Sequence, residues 1–563
     1  METEPAPPGG AGRPERPAQT TNRITGSKRW WALSAVLLTM FFSSLDQTVV
    51  STAIPTIVSE LHGFDIYAWL VTAYMMASAV TVPLYGKLSD MYGRKPFFIF
   101  GLAVFAVGSI LSGQAQTMLQ LILFRGLQGI GAGAMLTMPR ATIGDIFNPR
   151  ERGQWMGVIG AVFGLASIIG PTLGGWITDP IGWRWIFYIT LPVAALAIIG
   201  VLFALPSVRT ETRAKLDWQG SALLVAGLVP ILLGFTWAGG RLAWTSPELL
   251  GLFAAGLAFL VLFAVNEGRA AEPILAPSLF RNGIFNTTLL IALFITMAMF
   301  GALIFLPLFV QGALGYSAAN SGYILTPMML SLVVASMIGG QLVTRTGRYK
   351  VLAVVGALLM LVGLVLFTRM DLNTTWIGVV RNMIVFGLGL GTLLPLLNTV
   401  VLNVFPYRIM GAVSATQQFV RSLGGVIAAP ILGTVLARSV DARLATDLPA
   451  PLRQAMASGG AGGNAIDPQQ LLSAQAQEAI RSRFDAFGSA GQALYDQFIT
   501  VVHQALASGT RELFGIALVF GVLALAATLF LQEVRLKRDD FIEETAAEPP
   551  AHAGGSAGER PLA

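Results

Sequence analysis

Along most of its length the chain alternates between two kinds of segment: apolar runs of about 20 residues, and short connectors that hold nearly all of the charge. Apolar runs begin near Ala32, Ile66, Pro96, Met118, Gly153, Trp183, Trp218, Pro247, Ile284, Ser321, Val351, Trp376, Gly411 and Leu513. Each is close to the ~20 residues that a helix needs to cross a ~30 Å hydrocarbon layer, so the pattern predicts about fourteen membrane-spanning helices. Glycine and proline inside the runs do not argue against helices, because neighbouring helices satisfy freed backbone groups in a membrane.

The connectors orient the spans. Arg23, Lys28 and Arg29 precede the first, and alternate loops carry Lys87, Arg94 and Lys95, then Arg150 and Arg152, Arg209, Arg213 and Lys215, Arg269 and Arg281, Arg345, Arg348 and Lys350, and Arg408. Arg535, Lys537 and Arg538 follow the last span, whereas the intervening connectors are almost free of Lys and Arg. Basic loops stay on the cytoplasmic side, so both termini are expected there, in a multi-pass protein of the cell (inner) membrane. This accounts for the net charge of +6 and leaves little support for a nucleic-acid partner.

Composition agrees. Charged residues are 12% and hydrophobic residues 54% of the 563, against about 25% charged in soluble chains. There is no cysteine, hence no disulfide, thiolate nucleophile or cysteine-ligated metal. His62, His503 and His552 are scattered and form no metal site. No phosphate-binding loop sequence is present, and Gly129 to Ala134, a superficial dinucleotide-type glycine run, lies inside an apolar helix without a preceding strand. No cofactor and no enzyme activity are expected; an ion gradient is the expected energy source.

The connector Gly86 to Lys95 and the connector Gly340 to Lys350 repeat one pattern, with Gly86, Leu88, Gly93 and Arg94 matched by Gly340, Leu342, Gly347 and Arg348, and Thr344 standing where the first copy has Asp90. A repeat in two halves of a polytopic chain predicts a two-bundle transporter. The expected organisation is a disordered tail over 1–29, a six-helix bundle over 30–208, two inserted helices over 209–270, a second six-helix bundle over 271–535 and a tail over 536–563. Within the second bundle an external loop is expected over 438–509, Pro/Gly-rich at first and then amphipathic, with Ile480, Phe484, Phe487, Leu494, Phe498 and Val501 at helical spacing and an interruption near Gly488 or Gly491. It could cover an exit mouth, lie on the outer leaflet, pack passively or meet an accessory export partner.

These residues resemble the major facilitator superfamily, and specifically its fourteen-span drug:proton antiporters. GKLSDMYGRK resembles the superfamily's cytoplasmic loop signature, LILFRGLQGIGAG (Leu121 to Gly133) its fourth-helix motif and GLASIIGPTLGG (Gly164 to Gly175) the antiporters' fifth-helix motif. LDQTVVSTAIPTI (Leu45 to Ile57), WRWIFYITLP (Trp183 to Pro192) and LDWQG (Leu216 to Gly220) are similar to further segments of the fourteen-span family. The resemblance implies an all-α membrane protein of the major facilitator fold, with two six-helix bundles plus two inserted helices. It implies proton-coupled export of lipophilic small molecules by alternating access; a dedicated exporter of one lipid, siderophore or metabolite fits equally well.

The resemblance also gives the residues roles. Gly86, Asp90, Gly93, Arg94 and Asp145 would form a cytoplasmic gate, with Asp90 facing a helix start in the other bundle and Arg94 pairing with Asp145; a simple positive-inside anchor is the alternative. Asp46, an ionisable group in the first apolar run, is a functional candidate by cost alone, and with Arg125 it is assigned to proton coupling; interhelical anchoring is the alternative for each. Gly164, Gly170, Pro171 and Gly174 carry the antiporter motif, where small residues would permit close helix approach. Met75, Gln417 and Arg421 are candidates for the substrate cavity, as are Met76, Phe305 and Tyr323, although packing is the commoner role for the apolar ones. No acidic residue occurs from Gly411 to Leu436, which weakens the expectation of a cationic cargo and leaves Arg421 to meet a neutral or anionic compound or a buried acid.

Overall fold

The computed structural model describes residues 27–61, 69–147, 149–205, 217–238, 242–270, 273–275, 277–314, 318–405, 409–448 and 491–533. The terminal tails up to residue 26 and from 534, and the amphipathic stretch containing Ile480, Phe484 and Phe487, lie outside the described residues.

The N-terminal bundle consists of α1 (Ser27–Leu61), α2 (Trp69–Tyr92), α3 (Arg94–Gly113), α4 (Met118–Ile146), α5 (Pro149–Ile181), and a sixth rod made of the short α6 (Arg184–Tyr188) continued by α7 (Thr190–Ala204). The inserted pair is α8 (Trp218–Trp237) and α9 (Pro247–Glu267). The C-terminal bundle holds α10 (Gly283–Gly312), α11 (Ala318–Thr346), α12 (Lys350–Thr368), α13 (Trp376–Val404), α14 (Met410–Asp447) and α15 (Gly491–Leu529). Thirteen described helices are long and apolar enough to cross a membrane. The 33-residue α5 is the remaining rod of the expected six, two and six.

Helix starts follow local chemistry. Thr117, Asp217, Ser246, Asn282 and Thr375 each place a side-chain oxygen on a backbone N–H of the first turn of α4, α8, α9, α10 and α13. Such caps satisfy donors that have no partner inside the helix. Apolar side chains also face outward: Phe203 is 82% and Ile377 78% exposed, and Leu250, Leu257, Val261 and Val265 on α9 are exposed together. This outward apolar surface is what a hydrocarbon solvent covers.

The bundles meet through two equivalent pairs. The second helix of one bundle packs on the fifth of the other, α2 on α14 and α11 on α5. The inserted helices pack on each other where Gly256 approaches the carbonyl of Gly227. Leu224, Leu228, Leu232 and Phe263 then join Met76, Ala79, Val80, Ala415 and Phe419 in one apolar cluster, so the pair sits against the α2–α14 contact. The repeated connectors match in backbone as well: Gly93 and Gly347 both adopt positive φ, 95° and 67°, a region that only glycine enters without a steric cost.

The loop expected over 438–509 is shorter than the sequence suggested. Helix α14 continues to Asp447 and α15 begins at Gly491, running unbroken into the last span. Val440, Leu444 and Leu448 pack with Phe498, Val502, Ala505 and Leu506 in the core of the C-terminal bundle. The amphipathic pattern from Leu494 to Val501 is therefore the buried face of a helix extension, not of a separate surface helix.

Candidate functional site

Two charged constellations and one close-packed seam stand out.

The first constellation is wholly inside the N-terminal bundle. Asp46 on α1 and Arg125 on α4 are 1% and 2% exposed. Arg125 Nη1 donates to Asp46 Oδ2 at 2.9 Å and to Gln128 Oε1 at 2.6 Å, while Gln128 Nε2 donates to Asp46 Oδ1 at 3.0 Å. Both carboxylate oxygens are thus engaged. Gln128 Nε2 also reaches Ser109 Oγ on α3 at 3.3 Å, and Ser109 Oγ donates to the Phe187 carbonyl at 2.9 Å. The Arg125 guanidinium lies 4.3 Å from the Tyr74 ring centroid, a stacking that a delocalised planar cation favours. A buried ion pair repays its desolvation only when its remaining hydrogen bonds are met; here Gln128 and Ser109 help to meet them. The sequence singled out Asp46 and Arg125 but not Gln128, which shares a face of α4 with Arg125 at a spacing of three.

Two residues beyond Asp46, α1 meets α5. Thr48 Oγ1 donates to the Ala166 carbonyl at 3.3 Å, and a side chain at Gly170 would fall 2.7 Å from Thr48 Cβ. The opposite part of α5 meets the other bundle: a Cβ at Gly157 would lie 2.5 Å from the Ser336 carbonyl of α11, one at Gly160 2.8 Å from Ser336 Oγ, and one at Gly164 would strike Val333. Of the expected motif, Gly164 therefore faces α11 and Gly170 faces α1. Gly174 is buried in the same helix, and the side chain of Pro171 lies outside those described.

The second constellation joins the bundles at the connector after α2. Asp90 Oδ1 accepts from the Gly411 N–H at 3.0 Å and Oδ2 from the Ala412 N–H at 2.6 Å, at the first turn of α14. Arg94 pairs with Asp90, donates through Nε to Asp145 Oδ2 at 2.9 Å and through Nη1 to Ser89 Oγ at 2.7 Å. A carboxylate on free N–H groups at a helix start is doubly favoured, by hydrogen bonds and by the helix dipole. Gly86 permits the approach, since a Cβ there would lie 2.7 Å from the Gly411 carbonyl. All five expected gate residues thus come together. In the second copy Arg348 is exposed.

The cavity candidates divide. Met75 packs against the N-terminal core, Met76 is buried in the α2–α14–inserted-helix cluster, and Phe305 is buried in the C-terminal core. Each of the three packs among apolar neighbours. The side chain of Tyr323 lies outside those described. Gln417 is buried on α14 without a hydrogen-bond partner for Nε2 among the described residues, and Arg421 lies one turn further on with Nε likewise unpartnered. No described acid pairs with Arg421, and its helix α14 packs on α4, which carries the buried Arg140. Arg140 was not among the sequence candidates, although an arginine in the apolar run Met135 to Ile143 was a signal for it.

Residues 36–429 match the Major Facilitator Superfamily. The chain belongs to that superfamily. It is 38% identical over 536 residues to a protein named multidrug transporter protein MdtP of Bacillus subtilis (strain 168), covering 93% of this chain and 98% of that one. It is 36% identical over 518 residues to multidrug resistance protein 3 of the same organism, covering 92% and 98%. Among solved structures it is similar to the human organic anion transporter MFSD10 (TM-score 0.56, 15% identity, 88% and 100% covered). It is also similar to the proton:xylose symporter XylE (TM-score 0.54, 13% identity, 91% and 97% covered). At those identities the solved structures bear on the fold alone. As a superfamily member the chain is a multi-pass membrane transporter.

Proposed function

We propose that this transporter exports lipophilic small molecules in exchange for protons, by alternating access between its two bundles. The observation that carries the reading is the fully buried Asp46–Arg125–Gln128 cluster beside the α1–α5 contact. Names given to the two bacterial relatives, which are nearly full-length matches, support drug efflux.

The chemistry is a charge exchange inside a dry helix bundle. With Asp46 ionised, its carboxylate ties Arg125 and Gln128 of α4 to α1. Protonation removes the negative charge, so the guanidinium loses its counter-ion and turns to the Gln128 amide oxygen and the Leu70 carbonyl, to which its Nε already points at 3.5 Å. The change moves α1 relative to α4. Thr48, two residues on, transmits it to α5, and α5 abuts α11 through Gly157, Gly160 and Gly164. The Asp90 contact with α14 closes the cytoplasmic side in the present conformation and must open for cargo to enter. Both termini lie in the cytoplasm of a cell whose inner membrane carries the proton gradient.

The test is efflux of Nile red, a neutral lipophilic dye, from proteoliposomes under an imposed pH gradient. Efflux should follow the gradient in the native protein and become indifferent to it in Asp46→Asn. Native efflux that ignores the gradient overturns the antiport reading. A panel of unrelated lipophilic compounds of which only one is carried would instead identify a dedicated exporter.

A further inference from the structure

Two buried arginines stand on helices that pack together across the bundle interface, α4 and α14, and no described acid pairs with either. Arg140, on α4, is 6% exposed. It comes within electrostatic reach of Arg421 on α14, in the opposite bundle. The only hydrogen bond described for its guanidinium runs from Nη1 to the Leu136 carbonyl on its own helix. Its Nε and that of Arg421 are buried without a partner among the described residues, as are Gln417 Nε2 and Gln418 Oε1. Gln417 and Gln418 are 3% and 9% exposed, and their spacings of four and three from Arg421 put all three on one side of α14. The acids that could have served are committed elsewhere: Asp90 to Arg94 and the start of α14, Asp145 to Arg94.

Removing a cation from water without a counter-ion is strongly unfavourable, and placing a second beside it adds repulsion. Helices that meet at such a point need an anion to be satisfied. Apolar groups lie next to it: Leu136, one turn before Arg140, and Phe419, Val420 and Leu423, flanking Arg421, belong to one packed cluster. Guanidinium groups present paired N–H donors that match the two oxygens of a carboxylate, and the amides add further donors. We propose that Arg140, Arg421 and Gln417 form the binding site for the cargo's charged end, and that the cargo is an amphipathic organic anion: one carboxylate on an apolar ring body. This rests on the export reading and names its substrate class.

The probes are 2-naphthoate and (2-naphthyl)methylammonium, which share a ring body and differ in the sign of the charge. Binding to the purified full chain in zwitterionic nanodiscs, followed by tryptophan fluorescence, is independent of any proton gradient. The native protein should bind naphthoate at least tenfold more tightly than the ammonium probe. Arg140→Gln and Arg421→Gln should each weaken naphthoate at least tenfold while leaving the ammonium probe unchanged or bound more tightly, and Arg421→Lys should keep part of the preference. Equal or tighter binding of the ammonium probe by the native protein overturns the site. So does unchanged naphthoate binding in both glutamine variants, given native circular dichroism and monodisperse nanodiscs. A second arm separates the two proposals. Asp46→Asn should retain the naphthoate preference, and a native protein that prefers naphthoate while its efflux ignores the pH gradient supports the anion site while sinking antiport. Gradient-driven efflux without a naphthoate preference does the reverse.

Discussion

Asp90, near the end of α2, holds the backbone N–H of Ala412 at 2.6 Å although 322 positions separate them. One carboxylate thereby ties the end of α2 in the N-terminal bundle to the first turn of a helix in the other bundle. The contact depends on charge as well as shape, because both oxygens accept and neither donates.

Asp90→Asn should therefore loosen the latch without unfolding either bundle. The amide keeps one acceptor and turns an N–H₂ donor toward a second N–H, and the favourable charge at the helix start is lost. Removing an N-cap acceptor costs about 1 kcal/mol, roughly a fivefold change in the balance of closed and open forms. The chain has no cysteine, so single cysteines placed at the end of α2 and the start of α14 can carry spin labels without background. The distance distribution between them should broaden toward longer values in the variant; an unchanged distribution would show that the latch does not hold the closed form.

The Asp46–Arg125 pair makes a different prediction, about stability. Breaking a buried pair by removing one partner costs about 3–5 kcal/mol, whereas replacing both with apolar groups is often neutral. Asp46→Leu should lower the unfolding midpoint in detergent clearly, because it leaves the Arg125 charge stranded beside Tyr74. Asp46→Leu combined with Arg125→Met should recover most of that loss while leaving transport dead. A double variant as unstable as the single one would mean that the network, not the unpaired charge, sets the cost.

How far this was legible from sequence differs by residue. The Asp90–Arg94–Asp145 contact was legible through the family resemblance: Gly86, Gly93 and Arg94 recur in the second connector although Asp90 does not, and the resemblance sets Asp90 on a helix start of the other bundle and Arg94 on Asp145. Asp46 and Arg125 were each visible as charges in apolar runs, but their mutual contact was not, since nothing local fixes the rotation of α1 against α4. Gln128 escaped because amides are common interhelical hydrogen-bonding groups and carry no charge to draw attention. Arg140 escaped although its intramembrane position was itself the signal. The ends of the late loop were misjudged because amphipathic spacing over Leu494 to Val501 describes equally a helix lying on a surface and a helix buried against Val440 and Leu444. Only the partner helix distinguishes the two.

Glu60, at the far end of α1, accepts from Trp183 Nε1 at 2.7 Å and pairs with Arg184. The hydrogen bond from Arg184 holds its carboxyl below the ordinary 4.5, with a further contribution from Trp183. A lowered folded value means that the contribution is fully present above about pH 4.5 and fades as pH falls through the folded value. Half of the Glu60 side chain is open to solvent, so the effect is small and sensitive to salt. Native protein should therefore melt above Glu60→Gln at pH 6–8 and low salt, and the two curves should converge below about pH 4.5. A gap that persists in acid would show that the charge of the Glu60 carboxylate is not what stabilises this end of α1.

The α5–α11 seam makes the last prediction, about leak. An alanine methyl at Gly157 would lie 2.5 Å from the Ser336 carbonyl, and a backbone carbonyl cannot turn aside as a flexible side chain can. The helices must separate, at a cost of about 1–3 kcal/mol, and a wider seam between the bundles admits water. Gly126, on α4, is the control: a Cβ there meets nothing within 4 Å, so alanine at that position should be neutral or, by helix propensity, stabilising by up to about 1 kcal/mol. Proteoliposomes loaded with a pH-sensitive dye should acidify faster with Gly157→Ala than with the native chain in the absence of cargo, and at the native rate with Gly126→Ala. If both variants hold protons as the native chain does, the small residues of α5 serve packing alone, and the barrier to leak lies elsewhere in the bundle contact.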